Sequence, residues 1–300
     1  MIGYLFISAA LAAGTIKSYC AKKTSGYVQK STDAVFISLI RMLICIIVGA
    51  ILIVAAGDIS HITPDIKMLP IYLLSGVSTS AFVVFWLMSV RKNAYMLIDV
   101  FLMLGMLIPL SLSNLLFDEP ITLKQWVGIA ILFVAVLIMC SYNSSLNGKM
   151  GISSIILLVL TGVASSFSDF SQKLFVRTSS DIPISVFNFY TYVISAITLL
   201  IYFLIFRKSE NIKNEETTEG IPKKMYAYVA IMAICLFANT YFKTVAALHL
   251  DGAQLYPLAQ GGALIIAALM AAICFGEKLT LKAITGIVLS FIALIIINVL

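Results

Sequence analysis

Ten apolar stretches, each long enough to cross a bilayer, constrain this chain more than any other feature. They fall at roughly 2–21, 34–56, 69–90, 95–117, 122–142, 152–175, 184–206, 225–249, 253–275 and 279–299. A helical span needs about 20 apolar residues. In lipid every backbone N–H and C=O needs a partner within the protein, and a long apolar run supplies these as a helix. The expected fold class is an all-α membrane protein with ten transmembrane helices. Composition agrees: 11% of residues are charged and mean hydropathy is +1.05. A soluble chain carries about 25% charged residues, so this one cannot cover a water-facing surface. The first run, MIGYLFISAALAAG, resembles a signal-peptide core. No basic residue precedes it and no clear small-residue cleavage site comes before Lys17, so it reads as a retained first helix.

Most connections are short. RKN at 91–93 and LDG at 250–252 are tight corners, which predicts neighbouring helices packed as antiparallel hairpins. Two loops are longer, 143–151 and the charged 207–224. The first divides the chain into two five-helix halves, 1–146 and 147–300. The segment FDEPITLKQWVGI (Phe117 to Ile129) recurs as FGEKLTLKAITGI (Phe275 to Ile287), with seven of thirteen positions identical at an offset of 158 residues. The polar matches, Glu119 with Glu277, Thr122 with Thr280 and Lys124 with Lys282, carry the most weight, because apolar helices match easily by chance. An odd helix count per half makes the second copy enter the membrane from the opposite side. Two inverted five-helix repeats are thus expected, an arrangement that secondary transporters use with the substrate site at the repeat interface. Glu119 and Glu277 read as helix-end residues at the polar interface, with Thr122 and Thr280 capping the next helix.

Little suggests an enzyme. The five cysteines are scattered, only two histidines exist, and no nucleophile, phosphate-loop or metal-ligand motif stands out. No cofactor is expected. The net charge of +6 lies mostly in short loops and does not indicate a nucleic-acid partner. Basic loops report orientation instead. Thirteen Lys and Arg residues fall in the odd-numbered loops and three in the even-numbered ones. That count places the odd loops in the cytoplasm and both termini outside.

The helix number and the two FxExxTLKxxxGI copies resemble the ten-helix, EamA-like members of the drug/metabolite transporter superfamily. The stretch from Leu255 to Leu300 also resembles the last two helices of the small multidrug-resistance exporters. Tyr256, Gly261 or Gly262, and the Phe275-Gly276-Glu277-Lys278-Leu279 turn carry that likeness. The resemblance implies a multi-pass plasma-membrane protein exporting a small metabolite or drug-like compound by alternating access, with both termini in the cytoplasm. It departs at one place. The small exporters carry a proton-coupling glutamate in their first helix, eight residues before a lysine. Gly14 and Ser165 occupy that position in the two halves. Proton coupling and cationic-drug specificity are therefore not implied.

Charges inside membrane helices are functional candidates. Lys17, Arg41 and Asp99 fall toward the odd-loop face, and Asp169, Lys173 and Lys243 toward the even-loop face. Pairs such as Arg41–Asp99 and Lys243–Asp169 are expected as gate contacts. Asp99 and Asp169 are the embedded acids available for coupling to protons or another ion gradient. The alternative is snorkelling cations, with Asp169 and Lys173 as a local i, i+4 pair. A substrate cavity is expected to draw on Trp86, on Asn188, Tyr190 and Tyr192, on Asn239 and Tyr241, and on Tyr256 and Gln260. Pro257 with Gly261 and Gly262, and Gly105 with Pro109, mark weakened helix backbone or close packing. The expected partners are a small-molecule substrate, leaning to a zwitterion or organic anion, and the lipid bilayer. Monomer and homodimer both stay open. The rival readings are a flippase for a lipid-linked intermediate and a non-transporting membrane scaffold.

Overall fold

In the computed structural model, residues 29, 93–94, 148–151, 180, 211–222, 276–280 and 299–300 lie outside the described residues. The described chain is helical throughout. Its helices are α1 (Ile2–Thr24), α2 (Ser31–Ala56), α3 (Leu69–Lys92), α4 (Tyr95–Gly105), α5 (Leu107–Phe117), α6 (Leu123–Asn147), α7 (Ile152–Thr178), α8 (Ile184–Glu210), α9 (Lys223–Ala247), α10 (Gly252–Phe275) and α11 (Leu281–Asn298). Eight spans among the described residues are long and apolar enough to cross a membrane. Two shorter apolar stretches, Leu123–Ala135 and Ile284–Asn298, lie in α6 and α11. Exposed aliphatic rows run down α2 (Leu43, Ile47, Ile51, Val54) and α11 (Ile284, Val288, Ile292, Ile295), as lipid-facing surfaces require.

The fourth apolar run differs from the single helix expected of it. It breaks at Met106 into α4 and α5. Pro109 has no N–H for the Gly105 carbonyl four residues earlier. The Ser166 hydroxyl on α7 donates to that carbonyl instead, at 2.7 Å. Pro257, by contrast, sits inside an unbroken α10.

Close packing between helices of opposite halves dominates the fold: α1 on α9, α2 on α8, α3 on α7, α4 on α10 and α6 on α11. A short corner brings helix ends together without deciding which faces meet, so α1 packs chiefly on α9 and not as a simple hairpin with its neighbour. Small residues set the faces. A Cβ on Gly3 would stand 2.8 Å from Leu250, and one on Gly14 would stand 3.1 Å from Asn239. Hydroxyl pairs then tie α3 across the interface: Ser75 with Thr191 at 2.8 Å, Thr79 with Ser168 at 2.9 Å and Ser89 with Thr161 at 3.1 Å. Each such bond in a membrane is worth about 0.6 kcal/mol.

Gly105 and Gly162 let α4 and α7 touch backbone to backbone. A Cβ on Gly105 would lie 2.7 Å from the Gly162 carbonyl oxygen, and one on Gly162 would lie 2.7 Å from that of Phe101. Backbone on the far side cannot yield as a side-chain tip can. Gly105→Val is expected to cost about 1–3 kcal/mol by overpacking, read as a lower melting temperature in detergent. Gly26→Ala, with open space around it, serves as the neutral control.

Candidate functional site

A polar cavity of about 90 Å³ lies between the halves, walled by α1, α3, α4, α7, α9 and α10. Its charged lining is Lys17, Asp99, Asp169 and Lys243. Trp86, Asn239 and Gln260 also line it, with Gly14 opposite Asn239. Gly14 matters because it leaves room for the Asn239 amide, which reaches over to donate to the Ala10 carbonyl at 2.6 Å. That bond fixes α1 against α9 at the cavity wall.

The even-loop end of the cavity is an organised polar cluster. Lys243 donates to Asp169 Oδ1 at 2.5 Å and Gln260 donates to Oδ2 at 2.8 Å. The Thr244 hydroxyl donates to Gln172 Oε1 at 3.4 Å. Both carboxylate oxygens of Asp169 are therefore engaged, by residues of two different helices. Toward the odd-loop end, the Lys17 ammonium lies 4.9 Å from the centre of the Trp86 ring and 5.6 Å from that of Phe82.

Other expected site residues stand outside this wall. Asn188 donates to the Ile184 carbonyl on its own helix at 3.0 Å. Tyr190 donates to the carbonyl of Ile62 and stacks on Tyr72 at 5.0 Å. Tyr192 is fully buried and its hydroxyl reaches the Leu236 carbonyl at 3.4 Å. Tyr241 stacks on Phe237 at 6.2 Å. Tyr256 sits one turn from Gln260 toward the even-loop face, with its hydroxyl 3.2 Å from that of Ser113. Gly261 and Gly262 receive Leu294 and Leu11, so they serve packing. Arg41 makes no ion pair with Asp99 among the described residues; its guanidinium lies 5.9 Å from the Trp86 ring centre.

The even-loop face carries a cluster that the sequence reading did not anticipate. Its hub is Glu119, 7% exposed. Lys173 pairs with Glu119 at 3.0 Å, and Arg177 pairs with the same oxygen. The Gly252 N–H donates to the other oxygen at 2.6 Å. Arg177 also reaches Asp251 at 3.4 Å, and Lys173 donates to the carbonyl of Ala247 at the end of α9 at 3.3 Å and to that of Leu250 in the turn that follows at 2.6 Å. Lys173 thus takes Glu119 as its partner, not Asp169 one turn away. Local geometry delivers Glu119 to this place. Asp118 ends α5 in the left-handed conformation at φ 51°, and Asn114 holds the Glu119 carbonyl at 2.9 Å. Thr122 then starts α6 as expected, its hydroxyl accepting from the Gln125 N–H while Gln125 accepts from the Thr122 N–H. The matching residues Glu277 and Thr280 lie outside the described residues.

Burial alone would raise the Glu119 pKa. The Gly252 N–H, then Arg177 and Lys173, outweigh it and hold the carboxyl below its ordinary value of 4.5. With a folded pKa below the unfolded one, the cluster's stabilisation is complete above the ordinary value and is lost as pH falls through the lower, folded value. Closure of this face is therefore expected to be flat across roughly pH 6 to 8 and to fail only in acid. Hydrogen exchange at the Gly252 amide, followed against pH, measures it.

An all-helical membrane protein with a charged cavity between its halves and a buried ion cluster at one face has the build of a membrane carrier. The chain belongs to the EamA-like transporter family, whose model matches residues 1–141 and 152–299. It is thus a membrane transporter of the drug/metabolite transporter superfamily. A solved structure described as "Crystal structure of protein" shares the fold, with a TM-score of 0.71 over 97% of this chain and 96% of that one at 13% identity. No curated protein matches the chain.

Proposed function

We propose that this chain is a secondary active carrier moving a small polar metabolite by alternating access. The observation that carries this reading is the central cavity lined by Lys17, Asp99, Asp169 and Lys243; we read the buried Glu119–Lys173–Arg177 cluster at the even-loop face as its seal. Ten spans form two inverted five-helix repeats, 1–146 and 147–300. The contacts support this, since α1 on α9 and α3 on α7 exchange places when the halves are swapped, while α2 on α8 maps onto itself. The membrane is the plasma membrane. With the basic odd loops in the cytoplasm, the sealed face points outward and the cavity lies on the cytoplasmic side of the seal. Export is the direction that the family resemblance implies. Asp169 and Asp99 are the acids placed to couple transport to an ion gradient.

A scaffold predicts a dry, packed interface, which the cavity argues against. A flippase needs a lateral opening, whereas six helices from both halves share this cavity's wall. The test is flux in proteoliposomes of the purified protein. Metabolites selected by ligand-induced stabilisation are applied with and without an imposed proton gradient. Accumulation that Asp169→Asn abolishes supports the carrier. Movement of labelled lipid alone identifies a flippase. Neither movement, with no ligand stabilising the protein, leaves a scaffold.

A further inference from the structure

The Arg41 side chain has 0% exposure, and none of its three guanidinium nitrogens has a hydrogen-bond partner among the described residues. The nearby Ser38 hydroxyl, one turn earlier on α2, is buried and unpartnered as well. Arginine does not give up its proton in a protein, so neutralising itself is not open to this group. The face of Trp86 offers a cation–π contact of up to about 2 kcal/mol. Leaving a buried charge unpaired costs about 3–5 kcal/mol, so the indole does not balance the account. Lys17 repeats the pattern. It is 8% exposed, lines the cavity, contacts Phe82 and Trp86, and makes no ion pair among the described residues. Its ammonium stands 4.9 Å from the same indole centre that the Arg41 guanidinium approaches to 5.9 Å. Asp99 is the acid lining this end of the cavity, and Asp169 at the other end is taken up by Lys243 and Gln260. The cavity lining itself balances, two cations against two acids; Arg41, which stands outside that lining beside Trp86, adds one positive charge with no counter-ion among the described residues.

We infer that Lys17 and Arg41, both beside Trp86, form an oxyanion subsite, and that the carried molecule presents a single carboxylate-type negative charge there. This rests on the carrier reading and names its substrate class: a monoanion, or a zwitterion whose positive end faces Asp169. Guanidinium and ammonium together suit a carboxylate, the first as a two-pronged donor and the second as a point charge. The missing counter-ion is the substrate's own, so the empty carrier holds an unpaired cation pair that binding relieves.

The chain has two tryptophans, Trp86 and Trp126, so Trp126→Phe makes Trp86 the sole tryptophan, read by excitation at the red edge, where tyrosine does not absorb. The purified variant is placed in phosphatidylcholine nanodiscs and titrated with potassium iodide, with caesium chloride and acrylamide as cationic and neutral quenchers. Saturable iodide quenching is expected, severalfold stronger than that by either control. Benzoate suppresses it and benzamide does not. Adding Arg41→Met makes the iodide response weak and linear, while the ligand-free protein melts at or above its parent. Iodide quenching that never saturates and does not exceed acrylamide in the folded parent overturns the subsite, and that titration decides without any Arg41 variant. Saturable quenching that survives Arg41→Met overturns Arg41's part. Suppression by phosphatidylglycerol in the disc but not by benzoate assigns the anion to a lipid headgroup and overturns the substrate assignment. The titration needs no transport. Saturable quenching without flux keeps the subsite and removes the carrier, and flux without saturable quenching does the reverse.

Discussion

Glu119→Ala is expected to destabilise the protein by about 3–5 kcal/mol, because it leaves a buried cation without its partner. The Lys173 side chain is 1% exposed and Glu119's 6%, so neither is rescued by water. Arg177 is different. Its side chain is 43% exposed, and Arg177→Ala is expected to cost under about 1 kcal/mol, as solvent-screened pairs do. Removing both buried charges together, in Glu119→Leu with Lys173→Met, should recover most of the loss, since apolar replacements of a buried pair are often neutral. The three variants therefore order themselves by burial and not by distance. Accessibility gives the second readout. Ser113, 1% exposed, contacts Tyr256 just inside the cluster. A Ser113→Cys reporter should resist a polar maleimide in the wild-type background and react at least tenfold faster with Glu119→Ala. Equal rates would mean that the cluster does not seal this face. A Glu119→Ala protein as stable as its parent would mean that Lys173 is held by the Leu250 and Ala247 carbonyls alone.

The helices were legible because lipid allows a long apolar run little else. The break at Met106 was not, although Pro109 was visible: Pro257 shows that a proline alone does not decide. The difference lies in Ser166, 61 residues away, which takes the carbonyl that Pro109 leaves free. The cavity was partly legible. Ionisable groups in apolar runs are rare enough that Lys17, Asp99, Asp169 and Lys243 identified themselves. The aromatic residues divided: Trp86 lines the cavity, whereas tyrosine also packs, and Tyr190 and Tyr192 spend their hydroxyls on carbonyls elsewhere. Glu119 was misread for a related reason. Within FDEPITLKQWVGI it looks like any helix-end acid. Its burial comes from Lys173 and Gly252, 54 and 133 residues further along. One signal was present: the cations of α7 at positions 173 and 177 share a face at i, i+4, whereas Asp169 alone was offered to them. Two cations on one face called for a second acid.

Asp169 and Lys243 carry the remaining large effect. Lys243→Met is expected to lower flux roughly ten- to hundredfold, the equivalent of losing one charged hydrogen bond of about 1.5–3 kcal/mol in a step where it must form. Asp169→Leu should do at least as much, since it strands both Lys243 and the Gln260 amide that now share its two oxygens. Stability separates structure from transport here. The pair is mostly buried, at 14% and 6% side-chain exposure, so each single variant should melt earlier. The double variant should regain stability, with an interaction energy of about 0.5–3 kcal/mol in the cycle. Flux should not return with it. A purely structural pair would behave otherwise: once both charges are gone and the fold is restored, transport would be restored too. Flux at the parent rate in the stable double variant would therefore reduce the pair to a brace and leave Asp99 as the remaining embedded acid for coupling. Flux absent in that variant, despite a parental melting temperature, requires the carboxylate itself to take part in the cycle. Lys243 would then be its resting partner, displaced when the positive end of a substrate or a driving cation arrives.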